Sequence, residues 1–415
     1  MNIWILQTGE PLQTDGGNPR PMRAMNLSNI LVERGNNVTI WSSAFFHQTK
    51  LHRSKVYEEI IVSDKLEIKL IPSPGYKKNI GLGRLYDHTI MAFNLKKILH
   101  DYVDLAPDIV IIGYPPIETS WIMARWLCSR KIPYIVDLKD QWPSLFLEGF
   151  SPKFRPIVRL FLTPYYIMAR EILLSAKSFT SMSDSYLSWM SSFSGRKLTK
   201  NDRAFPLTSS IFEIIDSEVQ IAKNWWLNVG VETTHNRRFV FIGSFMSVFD
   251  FSLIYEAASK FQTENINCQF VLCGTGGCLE EVKSLMSGLD NVIFPGWIDL
   301  SKIDFLAKYS RASLIPYKSI ENFTLNIPNK VVDALAYGLP IVTSLKGVVQ
   351  DLVIERSLGF ACNSTTGMTM YEALILLLKD NNLQEICSNN ARKLYEESFS
   401  FDKVYGEFAD FIESQ

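Results

Sequence analysis

Twice along these 415 residues, short apolar runs end on a turn-forming residue and give way to helix-length amphipathic segments. In the first half, Ile3–Gln7 reads as a strand, residues 9–21 as a polar glycine loop, and Met22–Arg34 as a helix that Gly35 ends. Asn37–Ser42 and Asp108–Gly113 are further strands, the second leading through Tyr114-Pro115-Pro116 into a helix. Ile132–Val136 reads as a buried parallel strand. The second half repeats the plan, with strands at Arg238–Ile242, Cys268–Cys273, Asn291–Phe294, Ala312–Pro316 and Leu339–Thr343. Strands alternating with helices imply an α/β chain with doubly wound parallel sheets, whose ligands sit beyond the strand C-termini.

A chain of this length exceeds one ordinary core, so two domains are expected. Residues 1–200 form the first and 236–398 the second, with the interdomain link inside 195–235, where periodicity is weak. The amphipathic segment Phe401–Ile412, within 399–415, is expected to form a helix packing across the domain boundary. A net charge of −1 supplies no general attraction for nucleic acid, so anion binding has to be local. The six cysteines contain no C-x2-C pair and the five histidines no metal-binding pattern. The start, Met1 to Gln7, lacks the basic and long apolar regions of a signal peptide, and no apolar stretch reaches membrane-spanning length. The expectation is a reduced, cytoplasmic chain that is neither exported nor transmembrane.

The segment Pro328 to Val342 carries the sharpest chemistry. Pro328 and Asn329 open a helix, Gly338 closes it, and Pro340 blocks continuation before an apolar strand. Lys330 and Asp333 stand three apart, about one turn, and so share a face. The helix start suits a diphosphate, and a carboxylate one turn inside suits ribose hydroxyls. The plainer alternative is an amphipathic helix with both side chains in solvent. Gly243-Ser244-Phe245 ends a strand and lets main-chain amides approach a phosphate, with the Ser244 hydroxyl as a further donor. Gly274-Thr275-Gly276-Gly277 is a second glycine turn after a strand. Asp15-Gly16-Gly17-Asn18 follows the first strand, with Arg20 and Arg23 close behind; a solvated helix start is the simpler reading of Arg23. Asp137 to Pro143 places charge at the end of a buried strand, where Asp140 either contacts a ligand hydroxyl or caps its loop.

These motifs resemble those of the retaining glycosyltransferases of family 4, especially enzymes that build bacterial surface polysaccharides such as O-antigen and capsule. The resemblance implies a GT-B fold of two Rossmann-like domains with an interdomain cleft. It covers nearly the whole chain and is strongest from Phe239 to Gly359. In that family the Lys330 helix carries the second acid of an E-x7-E motif. Here Asp333 takes that place and Leu325 stands at the first. The family's arginine and lysine after the first strand of the second domain are replaced by Ser244 and Phe249, leaving Lys330 to supply the positive charge. The resemblance implies Gly17, Gly243, Ser244, Gly274, Lys330 and Asp333 as donor-binding residues. Phe294 to Ile298 is similar to the loop whose main chain reads the nucleobase, which adds Trp297 and Ile298; Trp297 has a core role as its alternative. Asp137-Leu138-Lys139-Asp140-Gln141-Trp142-Pro143 looks like the D-x-R-D-x-W-P variant, with Lys139 where many relatives have histidine. Asp140 and Lys330 are the catalytic candidates.

Between Ser151 and Leu174, Lys153, Arg155, Arg159 and Arg170 are interleaved with aromatic and aliphatic residues. Such a segment suits an anionic bilayer surface or packing on its own domain. Pro156 and Pro164 predict two short helices in place of one. The expected protein is a hexosyltransferase that takes a nucleotide-sugar donor and a saccharide acceptor, the latter lipid-linked, with retention and without a metal or other cofactor. A GT-B nucleotide-sugar epimerase and a non-catalytic nucleotide-sugar-binding relative are the alternatives.

Overall fold

A computed structural model describes residues 1–16, 21–78, 81–102, 105–208, 216–233, 237–362 and 366–415. The chain divides into two compact units, Met1–Pro206 with Tyr405–Gln415 and Leu207–Val404.

The first unit runs β1 (Asn2–Leu6), α1 (Arg23–Glu33), β2 (Asn37–Ser43), β3 (Phe45–Phe46), β4 (Leu51–His52), β5 (Glu58–Ser63) and β6 (Leu66–Ile71). It continues through α2 (Leu82–Leu99), β7 (Ile109–Tyr114), α3 (Ile117–Arg130), β8 (Tyr134–Leu138), α4 (Arg155–Phe161) and α5 (Thr163–Ser175). β9 (Ser178–Ser181), α6 (Asp184–Ser194) and β10 (Arg203–Ala204) complete the series. Its sheet has the order β10-β9-β8-β7-β1-β2-β6-β5. Every pairing in it is parallel except β5 on β6. β7 and β8 are buried at every residue, as strands covered on both faces must be, and are correspondingly apolar. Pro156 and Pro164 sit in the first turns of α4 and α5, where a missing N–H does no harm, and the two helices are separate.

The second unit opens with α7 (Asp216–Asn228), β11 (Arg238–Ile242), α8 (Ser252–Thr263), β12 (Gln269–Cys273), α9 (Leu279–Leu285) and β13 (Val292–Gly296). It proceeds through α10 (Leu300–Lys308), β14 (Ala312–Ile315), α11 (Glu321–Thr324), α12 (Asn329–Ala336), β15 (Ile341–Thr343), α13 (Val348–Glu355) and β16 (Gly359–Ala361). α14 (Met368–Lys379), α15 (Asn381–Leu394) and α16 (Phe401–Glu413) follow. The all-parallel sheet has the order β13-β12-β11-β14-β15-β16, which counted within the unit is the 3-2-1-4-5-6 order of a Rossmann domain. Its core is rich in phenylalanine: Phe239, Phe241, Phe245, Phe249, Phe251, Phe261 and Phe270 are all buried.

The units meet in sequence at Pro206 and Leu207, inside the expected 195–235, a stretch that also holds β10 and α7. α7 forms because Val219, Ala222 and Trp226 line one helical face, and Ala222 and Trp226 are fully buried. Arg23 is not solvated. It is 4% exposed and holds Asp137 through two 2.9 Å hydrogen bonds. α16 takes its first four residues from the second unit and the rest from the first.

Candidate active site

In the second unit the winding of the sheet reverses between β11 and β14, and crevices of such sheets open beyond the strand ends at that point. Lys330, in the first turn of α12, reaches there. Its ammonium donates to the main-chain carbonyl of Ile242, the last residue of β11. It also lies 4.4 Å from the Phe241 ring centroid and 5.2 Å from that of Phe249. Val331, Val332, Ala334 and Leu335 are buried beneath the helix and fix its orientation, so the lysine is carried to a set place.

The glycines around it are explained by space. A β-carbon on Gly243 would come within 1.6 Å of the Lys330 Nζ, and one on Gly274 within 1.9 Å of the Gly243 carbonyl oxygen. Both residues also have φ in the left-handed half of the map, at +148° and +131°. Their amides are committed sideways: Gly243 N donates to Cys273 O at 2.9 Å and Gly274 N to Gly296 O at 2.7 Å. Gly243 therefore does not offer a phosphate its amide, as the sequence reading had it; it offers room for the lysine.

Stripping water from the ammonium lowers the Lys330 pKa to about 8, against the opposing pull of Asp333. Asp333 is half-buried one turn on, and its charge also raises the Tyr317 phenol, after burial. Tyr317 packs on Phe249 and Phe323 with centroids 4.4 and 4.7 Å apart. Ser244 is exposed beyond β11. Trp297 is 71% exposed, which rules out the core alternative, whereas Ile298 beside it is buried. A lysine, a carboxylate, a hydroxyl and an open indole thus share the loop edge of one sheet. Tyr317 and Phe241 were not singled out from the sequence, and Phe249 was named there only as the residue standing in place of the family's lysine. The dense phenylalanine run from 239 to 251 was their visible trace.

The first unit carries charge at its own strand ends. Asp137, at the end of β8, accepts from Arg23 and, at 2.9 Å, from the Thr180 hydroxyl. Burial, the largest single influence, would raise the Asp137 pKa, but the charge and hydrogen bonds of Arg23, with Lys139 and the Thr180 hydroxyl, together outweigh it and the pKa is lowered. Asp137 and Arg23 thus neutralise each other inside the unit and tie α1 to β8. Lys139 pairs with Glu10, whose second oxygen takes the Ala24 amide at 2.7 Å. Asp140 is half-buried, and its main-chain carbonyl accepts from Trp142 N at 2.9 Å. Gly17 and Arg20 lie outside the described residues. Among the described residues no three His, Cys, Asp or Glu side chains gather as metal ligands, and no helix is long and apolar enough to cross a membrane.

Two curated relatives are similar, both described as uncharacterized glycosyltransferases. The one from Methanocaldococcus jannaschii is 25% identical over 145 residues, 34% of this chain and 36% of the relative. The one from Haemophilus influenzae is 23% identical over 203 residues, 48% of this chain and 54% of the relative. The chain thus matches about a third to a half of the length of these relatives. Among solved structures, a sucrose-phosphate synthase from Thermosynechococcus elongatus superposes with TM-score 0.70 at 12% identity, over 100% of this chain and 98% of that one. HepE of Anabaena, in complex with UDP and glucose, gives 0.66 at 14% identity over 100% of both chains. WaaG, a glycosyltransferase involved in lipopolysaccharide biosynthesis, gives 0.65 at 14% over 99% of both. The chain has the GT-B fold, and its residues 228–394, which include Lys330, Asp333 and the glycines packed around them, match the family described as Glycosyl transferases group 1.

Proposed function

We propose that this chain is a glycosyltransferase that moves a hexose from a nucleoside diphosphate donor to a saccharide acceptor. The carrying observation is Lys330: a desolvated ammonium at a helix start, at the switch point of the second sheet, enclosed by glycines that leave it space. In this reading Lys330 and the α12 start hold the diphosphate and stabilise charge on the departing phosphate. Asp333 takes the ribose hydroxyls, the open Trp297 lies against the nucleobase, and Ser244 adds a hydroxyl. The lysine and the helix start do this without a metal. Asp140 contacts the acceptor hydroxyl. Retention of configuration is part of the proposal and needs no protein nucleophile.

The acceptor is proposed to be lipid-linked and the pathway one of surface polysaccharide assembly, a reading supported by the likeness to WaaG. α4 adds to it: none of its residues is buried, Phe154, Ile157, Leu160 and Phe161 are exposed, and Arg155 and Arg159 flank them. An apolar face with basic neighbours suits peripheral attachment to an anionic membrane.

The test is a thermal-shift screen with UDP, GDP, CMP and their sugars, followed by a transfer assay with the sugar nucleotide that binds. The correct nucleotide stabilises the fold by RT ln(1 + [L]/Kd). HepE was solved with UDP-glucose, so uridine nucleotides come first. Binding without turnover across saccharide acceptors removes the transferase and leaves a binding protein. Conversion of the free sugar nucleotide without an acceptor makes it an epimerase.

A further inference from the structure

Lys330 stands between two aromatic rings, and one of them, Phe249, fills the position where the family carries a lysine. The ammonium is 4.4 Å from the Phe241 ring centroid and 5.2 Å from that of Phe249, both within reach of a cation–π attraction. The two rings are 5.2 Å apart and nearly perpendicular, at 82°, so they wall a corner. That corner is held from several sides. Phe241 belongs to β11, and Phe249 forms a bridge with Tyr317 just beyond β14. On either side of it, Lys318 N donates to Val248 O at 2.9 Å and Asp250 N to Pro316 O at 2.7 Å. Tyr317 backs Phe249 at 4.4 Å, and Phe251 closes on Phe241 at 5.0 Å. Gly243 leaves the corner open at the point where the nitrogen enters.

An ammonium has three N–H groups, and the Ile242 carbonyl takes one of them. Ring faces attract a cation without having to shed bound water first, which suits a site as dry as this one. The titratable groups around the nitrogen are few. Asp333 attracts it from one turn along α12. The Cys273 thiol at the end of β12 and the Tyr317 phenol are both pushed up by burial and so stay neutral. Two opposed influences therefore meet on Lys330: loss of water favours the neutral amine, and ring electrons favour the ammonium.

We propose that Phe241 and Phe249 are positioning residues for Lys330. Their ring faces seat its nitrogen beyond the end of β11 and keep it charged, so that one lysine serves a phosphate subsite to which the family brings an arginine and a lysine as well. That the seated charge meets a phosphate rests on the glycosyltransferase reading; the seat itself does not.

The test drains the rings without reshaping them. A fluorinated phenylalanine placed at 241 or 249 by nonsense suppression keeps the shape of the ring and removes negative charge from its face. Phe249→Leu removes the ring and keeps the site apolar. The titration of Lys330 is followed by NMR of isotope-labelled lysine, with the signal assigned by Lys330→Met. Each change is expected to lower the midpoint by roughly half a unit to one and a half units, because the charged form loses its partner. In step, the deficit in affinity for whichever of UDP, GDP and CMP stabilises the wild type should widen by about two- to fifteenfold between pH 6 and pH 8. In Lys330→Met protein the same changes should have no further effect on nucleotide binding. A midpoint that stays in place or rises means that the rings only fill space, and overturns the seat. Equal losses of affinity with and without the lysine overturn it too. Lys330→Met protein that binds nucleotide as the wild type does removes the donor assignment instead, and the titration still judges the seat. If Phe249→Leu does not fold, the fluorinated rings carry the comparison.

Discussion

Lys330 is held in a place that only a side chain missing from its neighbour makes available. Gly243→Ala would put a methyl group where the ammonium now stands. The lysine has to leave, and the crowding costs about 1–3 kcal/mol. Calorimetry of folding and of nucleoside diphosphate binding should show both a lower Tm and a lost or strongly weakened complex. A variant that binds as well as the wild type would separate Lys330 from the phosphate. Lys330→Ala, without crowding, should weaken the diphosphate more than the nucleoside, by roughly 1.5–3 kcal/mol. The lowered pKa adds a direction in pH. With a value of about 8 in the fold against an ordinary 10.5, folding favours the neutral lysine. Its penalty on stability is therefore full below pH 8 and fades as pH rises toward the unfolded value. Diphosphate binding runs the other way, because it uses the charged form. Affinity should fall as pH passes 8, approaching about tenfold per unit. A flat titration of Kd from pH 7 to 9 would contradict that assignment.

At the scale of elements, α4 has a surface that no packing in the described structure explains, since none of its residues is buried. Leu160 is 71% exposed and Phe161 77%. Wild-type protein should co-sediment with anionic vesicles at low salt and be released as salt rises, each cation near the surface contributing about 1 kcal/mol. Arg155→Glu with Arg159→Glu should abolish this and leave nucleotide binding intact. Failure of the wild type to bind at low salt would mark α4 as an ordinary solvent-facing helix. Elements were legible in the sequence in proportion to their apolar continuity. β11, β12 and β14 came out within a residue or so, because a strand covered on both faces reads as a nearly unbroken apolar run, with one polar residue in each of the three. α7 was passed over, because its face is written by Val219, Ala222 and Trp226 alone, between turn-forming flanks. β3 to β6 lie in a region where the parallel rhythm breaks into a short hairpin and an antiparallel edge, and alternation of strand with helix does not foretell either. In the candidate site, Lys330 and Asp333 could be picked by their spacing along one helix. The Arg23–Asp137 pair spans 114 positions and left no local signature, so a residue assigned to solvent was in fact locked inside.

For the whole molecule, activity is expected to survive exhaustive chelation, because lysine and helix start together supply the positive charge that a divalent ion otherwise provides. Loss of transfer on chelation with recovery on adding Mg²⁺ or Mn²⁺ would reverse this. A second expectation concerns the first unit, which is written in two pieces. Its closing segment supplies Phe408, stacked 4.3 Å from Phe205 and lying under the Arg23 guanidinium at 4.7 Å. Arg34 grips Asp410 and Glu413, and Asn36 donates to Glu413 at 2.6 Å. Residues 1–206 expressed alone should therefore be poorly folded by circular dichroism and protease resistance. Coexpression with a peptide of residues 401–415 should restore order. A fragment 1–206 that melts cooperatively without it would show the closing segment to be dispensable.

That arrangement has a consequence in time. A ribosome makes the first unit's sheet early, but the strip that covers Phe205 and completes the surroundings of Arg23 emerges about two hundred residues later. Until then the first unit waits with an aromatic ring and a buried charge pair uncovered, while the second is assembled in between. A chain cut short before residue 405 thus leaves its flaw in the unit that was made first, where chaperones and proteases can read it.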